Sequence, residues 1–282
     1  MTVPNIVAAL GALVLLAGLN LPFGHAMAAS SDWVQAADSK LRLITGAALP
    51  DGEGVWAGVE IRMDPGWKTY WKSPGDSGVP PYFDWSGSEN LKSAELLYPA
   101  PKNLPDAGGQ AYGYKGEVVF PVKVTPERAD EPIKLKLAMD FGLCKDICIP
   151  NHADLALEIP AELAPSASDS LIIDRYLAWV PKPVEQGALP EIAEIAQDFD
   201  RDEPRLVIDI RYPEDAARTD LFIDAGEDYI PPPMAKGEGK DGTERFVVTF
   251  RDKEEVRDLM GEVLTFTMVS DRGAREAKRR LE

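Results

Sequence analysis

Hydrophobic and polar residues alternate along much of this chain, in short runs broken by proline and glycine. From Val55 to Met63, the residues Val55, Ala57, Val59, Ile61 and Met63 take every second position, with Trp56, Gly58, Glu60 and Arg62 between them. This period of two is the signature of a strand with one buried face. Lys40 to Leu49, Tyr82 to Trp85, Ala94 to Tyr98, Val118 to Val124, Ile133 to Met139 and Leu155 to Ile159 read as further strands or extended segments. Asp64-Pro65-Gly66 is a turn. Pro74 to Pro81 is a loop, because its prolines and glycines cannot continue a central strand.

The second half repeats the pattern. Leu206-Ile208-Ile210, Phe246-Val248-Phe250 and Leu264-Phe266-Met268 alternate with polar or smaller residues, and Leu221 to Ile223 is a short strand. Two short helices are expected, over Leu171 to Val180 (capped by Asp169 or Ser170) and over Asp252 to Met260. The segment Pro160 to Ser170 is the most linker-like, so the domain boundary is placed there. Many short strands between turn signals predict an all-β fold of two sandwiches, the second smaller and with a structural or docking role.

The N-terminus differs. The first 29 residues carry no Lys, Arg, Asp or Glu, Val7 to Leu19 is apolar, and Ala26-Met27-Ala28 offers small residues for cleavage. Residues 1–28 therefore read as a secretory signal peptide, with an uncleaved anchor over Ile6 to Phe23 as the weaker alternative. The expected divisions are the signal peptide 1–28, a first sandwich 30–162, a second 170–275 and a basic tail 276–282, taken as solvated and frayed. The formal net charge of −17 argues against a nucleic-acid partner, which requires neutralised phosphates. Export also implies a compartment where disulfides persist.

The chemistry concentrates in one stretch. Gly142 to His152 holds both cysteines of the chain, Cys144 and Cys148, and the only histidine outside the leader, His152. Strand-like sequence enters and leaves this stretch, so the cysteines flank a short turn and can reach disulfide distance. A bridge closing so small a ring stabilises by only about 2 kcal/mol. Such a bridge is easier to explain as a redox-active dithiol than as a staple, with Lys145, and His152 if the fold brings it close, favouring the attacking thiolate.

Other readings stay open on spacing alone. The bridge is inert in one. In another, Cys144, Cys148 and His152 bind Zn²⁺ or Cu⁺ from one helix face, which Pro150 opposes. Gly75-Asp76-Ser77-Gly78 resembles a serine-protease segment, but the only available histidine follows it, in the wrong order. Trp67, Tyr70, Trp71, Tyr82 and Trp85 read chiefly as core or rim packing, with sugar stacking as the alternative.

Three ordered segments resemble a known family. Gly66-Trp67-Lys68-Thr69-Tyr70-Trp71-Lys72-Ser73-Pro74-Gly75-Asp76-Ser77-Gly78, Tyr112 to Val122, and Cys144-Lys145-Asp146-Ile147-Cys148-Ile149-Pro150 are similar to the N-terminal periplasmic domain of the DsbD thiol:disulfide interchange proteins. The resemblance is strongest to the branch that includes the copper-tolerance protein ScsB. It covers roughly residues 35–160 well and 170–270 weakly. It implies two tandem immunoglobulin-like β-sandwiches and a periplasmic relay of reducing equivalents, without cofactor or metal. The implied donor is a membrane-embedded thiol reductase, here a separate protein, because the chain ends where the family's membrane domain would begin. The implied acceptors are disulfide isomerases or thioredoxin-like proteins of cytochrome c maturation. Cys144 and Cys148 fall on the family's redox pair. Tyr112 and Tyr114, in the segment Gln110 to Lys115, are the candidates for an aromatic cap over it. The other class of function is a non-enzymatic periplasmic binding protein for copper, a sugar or a partner protein, with a structural disulfide.

Overall fold

Alternating runs pair their backbone groups laterally and bury one face, so each half of the chain closes as two sheets over a core. The computed structural model describes residues 30–106, 109–162, 166–226 and 229–282. The leader, with its cleavage site and the alternative anchor, lies outside the described residues. No helix among them is long and apolar enough to cross a membrane.

The first sandwich contains β1 (Val34–Ala36), β2 (Ser39–Ala48), β3 (Val55–Met63), β4 (Lys68–Gly75), β5 (Tyr82–Asp84), β6 (Leu91–Leu96), β7 (Lys102–Asp106), β8 (Gly109–Lys115), β9 (Glu117–Pro126), β10 (Ile133–Cys144) and β11 (Cys148–Ile159). One sheet has the order β1-β2-β3-β9-β6; the other runs β11-β10-β4-β8-β7, with β5 paired to β10. Between them Leu41, Val59, Ile61, Trp71, Phe120, Leu135, Leu137 and Met139 are almost completely buried. Each such side chain contributes about 1.5–3 kcal/mol relative to exposure.

Next comes α1 (Ala167–Leu177). It starts earlier than the sequence reading placed it. Ser166 caps it, its hydroxyl accepting from the Asp169 amide at 3.4 Å, while the Asp169 carboxylate lies 3.5 Å from the Arg42 guanidinium. Its apolar face, Ile172, Ile173, Tyr176 and Leu177, packs on Ile44 and Val119 of the first sandwich. The helix thus belongs to the first domain rather than opening the second.

The second sandwich contains β12 (Lys182–Pro183), β13 (Glu191–Asp198), β14 (Arg205–Arg211), β15 (Thr219–Asp224), β16 (Met234–Glu238), β17 (Glu244–Thr249), α2 (Lys253–Leu259), β18 (Val263–Ser270) and β19 (Gly273–Arg280). Its two sheets are β12-β19-β18-β15 and β13-β14-β17-β16. The chain is therefore all-β, two tandem immunoglobulin-like sandwiches. The C-terminus is not a frayed tail. β19 pairs with β18 from Gly273 to Arg280, and Ala274, Ala277 and Leu281 are buried. Two alanines and a leucine carry the inward face, and the basic residues between them obscure it in sequence.

The two sandwiches meet along β4. Phe222 of β15 is buried edge-on against Trp71 and Tyr112, with ring centroids 6.0 and 5.0 Å apart. Lys72 pairs with Asp224 at 2.5 Å, and the Ser73 hydroxyl donates to the Ile223 carbonyl at 3.3 Å.

Candidate functional site

β10 and β11 form one long antiparallel hairpin, in register from Ile133 opposite Ile159 to Cys144 opposite Cys148. Only Lys145, Asp146 and Ile147 turn the chain. The cysteines are the last pair of this ladder, with Cα atoms 4.1 Å apart and sulfurs joined in a disulfide. Leu135, Leu137, Met139, Phe141 and Leu143 point into the core. Alternation therefore turns Cys144 to the opposite face of the sheet. There it is buried with Tyr70, Leu104 and Ala111.

The two sulfurs have unequal surroundings. Cys144 is 1% exposed, whereas Cys148 is exposed. Tyr70, fully buried on β4, donates its hydroxyl proton to Cys144 Sγ at 2.6 Å, and the same hydroxyl stands 3.2 Å from Cys148 Sγ. Two close approaches fix the ring. A methyl group added at Gly142 would stand 3.2 Å from two of its carbons, and one added at Gly78 would stand 2.7 Å from another. The loop after β4 thus lies directly on the tyrosine, and Thr69 ties β4 to β10 by donating to the Gly142 carbonyl at 2.9 Å.

The other expected residues are placed as follows. Lys145 sits in the turn, its side chain reaching back so that a methyl group at Gly66 would stand 3.0 Å from its Cε. His152 lies opposite Asp140, four residue pairs down the hairpin and about 13 Å from the cysteines at a strand's rise per residue. Its Nδ1 is 2.7 Å from Asp140 and its Nε2 3.3 Å from Asp154. The hydrogen bond to Asp140 raises its pKa. The hairpin also removes the helix face on which the three-ligand metal reading relied.

Residues Gln110 to Lys115 are not a loop over the disulfide but part of β8, paired on both sides with β4 and β7. Tyr112 and Tyr114 project into the core, on the face opposite Cys144. The Tyr114 hydroxyl donates to the Pro99 carbonyl at 2.7 Å, and burial pushes its pKa well up. Tyr112 packs on Phe222, and burial pushes its pKa up to about 12. The aromatic hydroxyl at the disulfide belongs instead to Tyr70. In sequence it was one of five clustered aromatics, and only the pairing of β4 with β10 distinguishes it. Of the others, Trp71 is buried, Trp67 and Trp85 are half-buried against the core, and Tyr82 is 65% exposed.

This arrangement suits thiol–disulfide exchange. Cys148 is the exposed residue of the pair, open to an approaching thiolate, and the sulfur then displaced is the one already hydrogen-bonded to Tyr70. An attack that leaves a preorganised donor in place on the leaving group needs little reorganisation.

Residues 42–160 match the family described as thiol:disulfide interchange protein DsbD, N-terminal. The solved N-terminal periplasmic domain of ScsB from Proteus mirabilis has a similar fold, with a TM-score of 0.70 and 22% identity, over 90% of this chain and 98% of that one. No curated protein sequence matches the chain. The ScsB likeness spans both sandwiches and establishes their common fold. The first sandwich of this chain is a DsbD N-terminal domain, of the thiol:disulfide interchange family, and the Cys144–Cys148 hairpin lies within it.

Proposed function

We propose that this protein relays reducing equivalents in the periplasm by exchanging the Cys144–Cys148 disulfide with partner thiols. The observation that carries the proposal is the asymmetry of the bridge: Cys148 exposed at a hairpin tip, Cys144 buried under the Tyr70 hydroxyl. In the loading step a donor thiolate attacks Cys148 Sγ. A donor–Cys148 bond forms, the Cys144–Cys148 bond breaks, and its electron pair leaves on Cys144 Sγ. A second donor thiolate then resolves the mixed disulfide and frees Cys148. In the delivery step the Cys148 thiolate attacks an acceptor disulfide, and Cys144 displaces the reduced acceptor.

The donor in this reading is a membrane-embedded thiol reductase. The acceptors are periplasmic disulfide isomerases or thioredoxin-like proteins of cytochrome c maturation. Family membership of the first sandwich supports exchange with thiol proteins in general, and the periplasmic location of the ScsB relative supports the compartment.

Titration of the protein in thiol/disulfide buffers, with alkylation and mass readout, tests this. A midpoint between roughly −180 and −270 mV is expected, in the range of exchange-active dithiols. A midpoint well below about −300 mV would mark a structural bridge and end the relay reading.

A further inference from the structure

Cys148 lies on an open sheet edge. β11 is the outermost strand of its sheet, and among the described residues it pairs with no strand but β10. Residue pairs in an antiparallel ladder alternate. One kind bonds mutually, and the other points its N–H and C=O groups away from the partner strand. Several observations place the cysteine pair in the second kind. Its Cα atoms are 4.1 Å apart, near the spacing of about 4.5 Å for such pairs rather than about 5.5 Å. Gly142 and Pro150 form the next pair of the same parity, and the Gly142 carbonyl turns to β4, accepting from the Thr69 hydroxyl at 2.9 Å. Pro150 has no amide hydrogen to give β10, and a proline fits a strand where its nitrogen faces the open side.

The N–H and C=O of Cys148 therefore point to the open edge, while its sulfur shares the outer face of the sheet with Cys144. Two residues on, Pro150 offers that edge a carbonyl but no donor. The edge is thus complete at Cys148 and interrupted beside it.

We propose that the partner docks by adding an extended segment to this edge, antiparallel to β11, with its reacting cysteine directly opposite Cys148. This rests on the exchange reading above and specifies the partner: a disulfide carried on an extended segment whose backbone is free to pair. The Cys148 N–H donates to the carbonyl of the partner cysteine, and the Cys148 carbonyl accepts that cysteine's N–H. A mutually bonded pair of this kind has Cα atoms about 5.5 Å apart, within disulfide range. Opposite residues project from one face, so a single rung carries three sulfurs in the order Cys144, Cys148, partner.

Cys148 is then in the middle, where it can both attack and be resolved. Its thiolate attacks the partner sulfur. The Cys148–partner bond forms, the partner's own disulfide breaks, and the electron pair leaves on the partner's second sulfur. The Cys144 thiolate next attacks Cys148 Sγ from the opposite side. The Cys144–Cys148 bond forms, and the partner cysteine leaves as a thiolate. The acceptor ends as a dithiol and the protein as the disulfide. Pro150 keeps the pairing short, as release of the partner requires.

The test uses the reduced whole protein and a short peptide whose central cysteine is held as a mixed disulfide with glutathione. Rates are taken relative to dithiothreitol, which has no backbone to pair and corrects for intrinsic reactivity. N-methylation of the peptide cysteine removes the N–H that Cys148 accepts and should slow exchange about tenfold, the upper weight of one neutral hydrogen bond. N-methylation of the following residue, whose N–H points away, should cost less than about twofold. Rates that do not distinguish the two methylated positions would overturn the proposal. In Cys144→Ala the same peptide, activated as a pyridyl disulfide, stays coupled to Cys148. Amide hydrogen exchange at Cys148 should then slow at least about tenfold relative to the protein capped with a methylthio group. An unprotected Cys148 amide would also overturn the proposal. A reduced protein inert to every peptide disulfide and to glutathione disulfide would defeat the exchange reading instead, and the coupled Cys144→Ala protein would still judge the edge.

Discussion

The hydroxyl of Tyr70 touches both sulfurs of the disulfide, at 2.6 Å from Cys144 and 3.2 Å from Cys148, although the tyrosine is more than seventy residues away in sequence. The contact exists because β4 and β10 are neighbours in one sheet and Gly142 on β10 leaves room for the ring beside its backbone. It also makes the two cysteines chemically unequal before any partner arrives.

Tyr70→Phe keeps the ring packing and removes the hydroxyl. A hydrogen bond to a charged group is worth about 1.5–3 kcal/mol, so reduction by glutathione should slow at least about tenfold. Stability of the oxidised protein should fall by only about 1 kcal/mol. Stopped-flow reduction and urea unfolding separate the two effects. An unchanged rate would remove Tyr70 from the chemistry.

The cysteines should differ when replaced singly. In Cys144→Ser the exposed Cys148 attacks an acceptor disulfide, releasing one acceptor thiolate, and with no resolving partner should accumulate the mixed disulfide. In Cys148→Ser the remaining thiol is buried, at 1% exposure, and should form little. Non-reducing electrophoresis with mass analysis reads this directly, and equal trapping in both variants would contradict the assigned order.

Phe222→Ala empties the contact between the sandwiches beneath Trp71 and Tyr112. A loss of about 3–5 kcal/mol is expected for a buried phenylalanine. Five of the six tryptophans precede residue 86, so fluorescence follows the first sandwich while far-ultraviolet dichroism follows both. The two transitions should separate in urea in the variant. Coincident curves would show that Phe222 does not couple the domains.

His152 is the one histidine among the described residues, and its hydrogen bond to Asp140 raises its pKa above the ordinary 6.5. The folded protein therefore holds this proton more tightly than the unfolded chain. The associated stability is complete below the unfolded value and is lost as pH rises through the folded one. Proton NMR should find the imidazole titrating above 6.5. In Asp140→Asn and Asp154→Asn together, that midpoint should fall back toward 6.5.

The alternation along Val55 to Met63, Ile133 to Met139 and Leu206 to Ile210 was sufficient to establish an all-β chain in two halves, because burying one face of a strand imposes a period of two. The Cys144–Cys148 bridge was likewise legible, since local spacing alone brings two cysteines across a turn. What lay beyond local pattern was lateral. The family resemblance set Gln110 to Lys115 as a capping loop, whereas it is a strand in which Gly113 lets the backbone approach β4 closely. The basic C-terminus looked solvated because its inward face is carried by two alanines and a leucine. Tyr70 joins the cysteines only when β4 is set beside β10, and strand order is decided by contacts between residues distant in the chain. Composition and periodicity determine which face of a strand is buried. Tertiary pairing alone decides which side chains stand beside the sulfur on the other face.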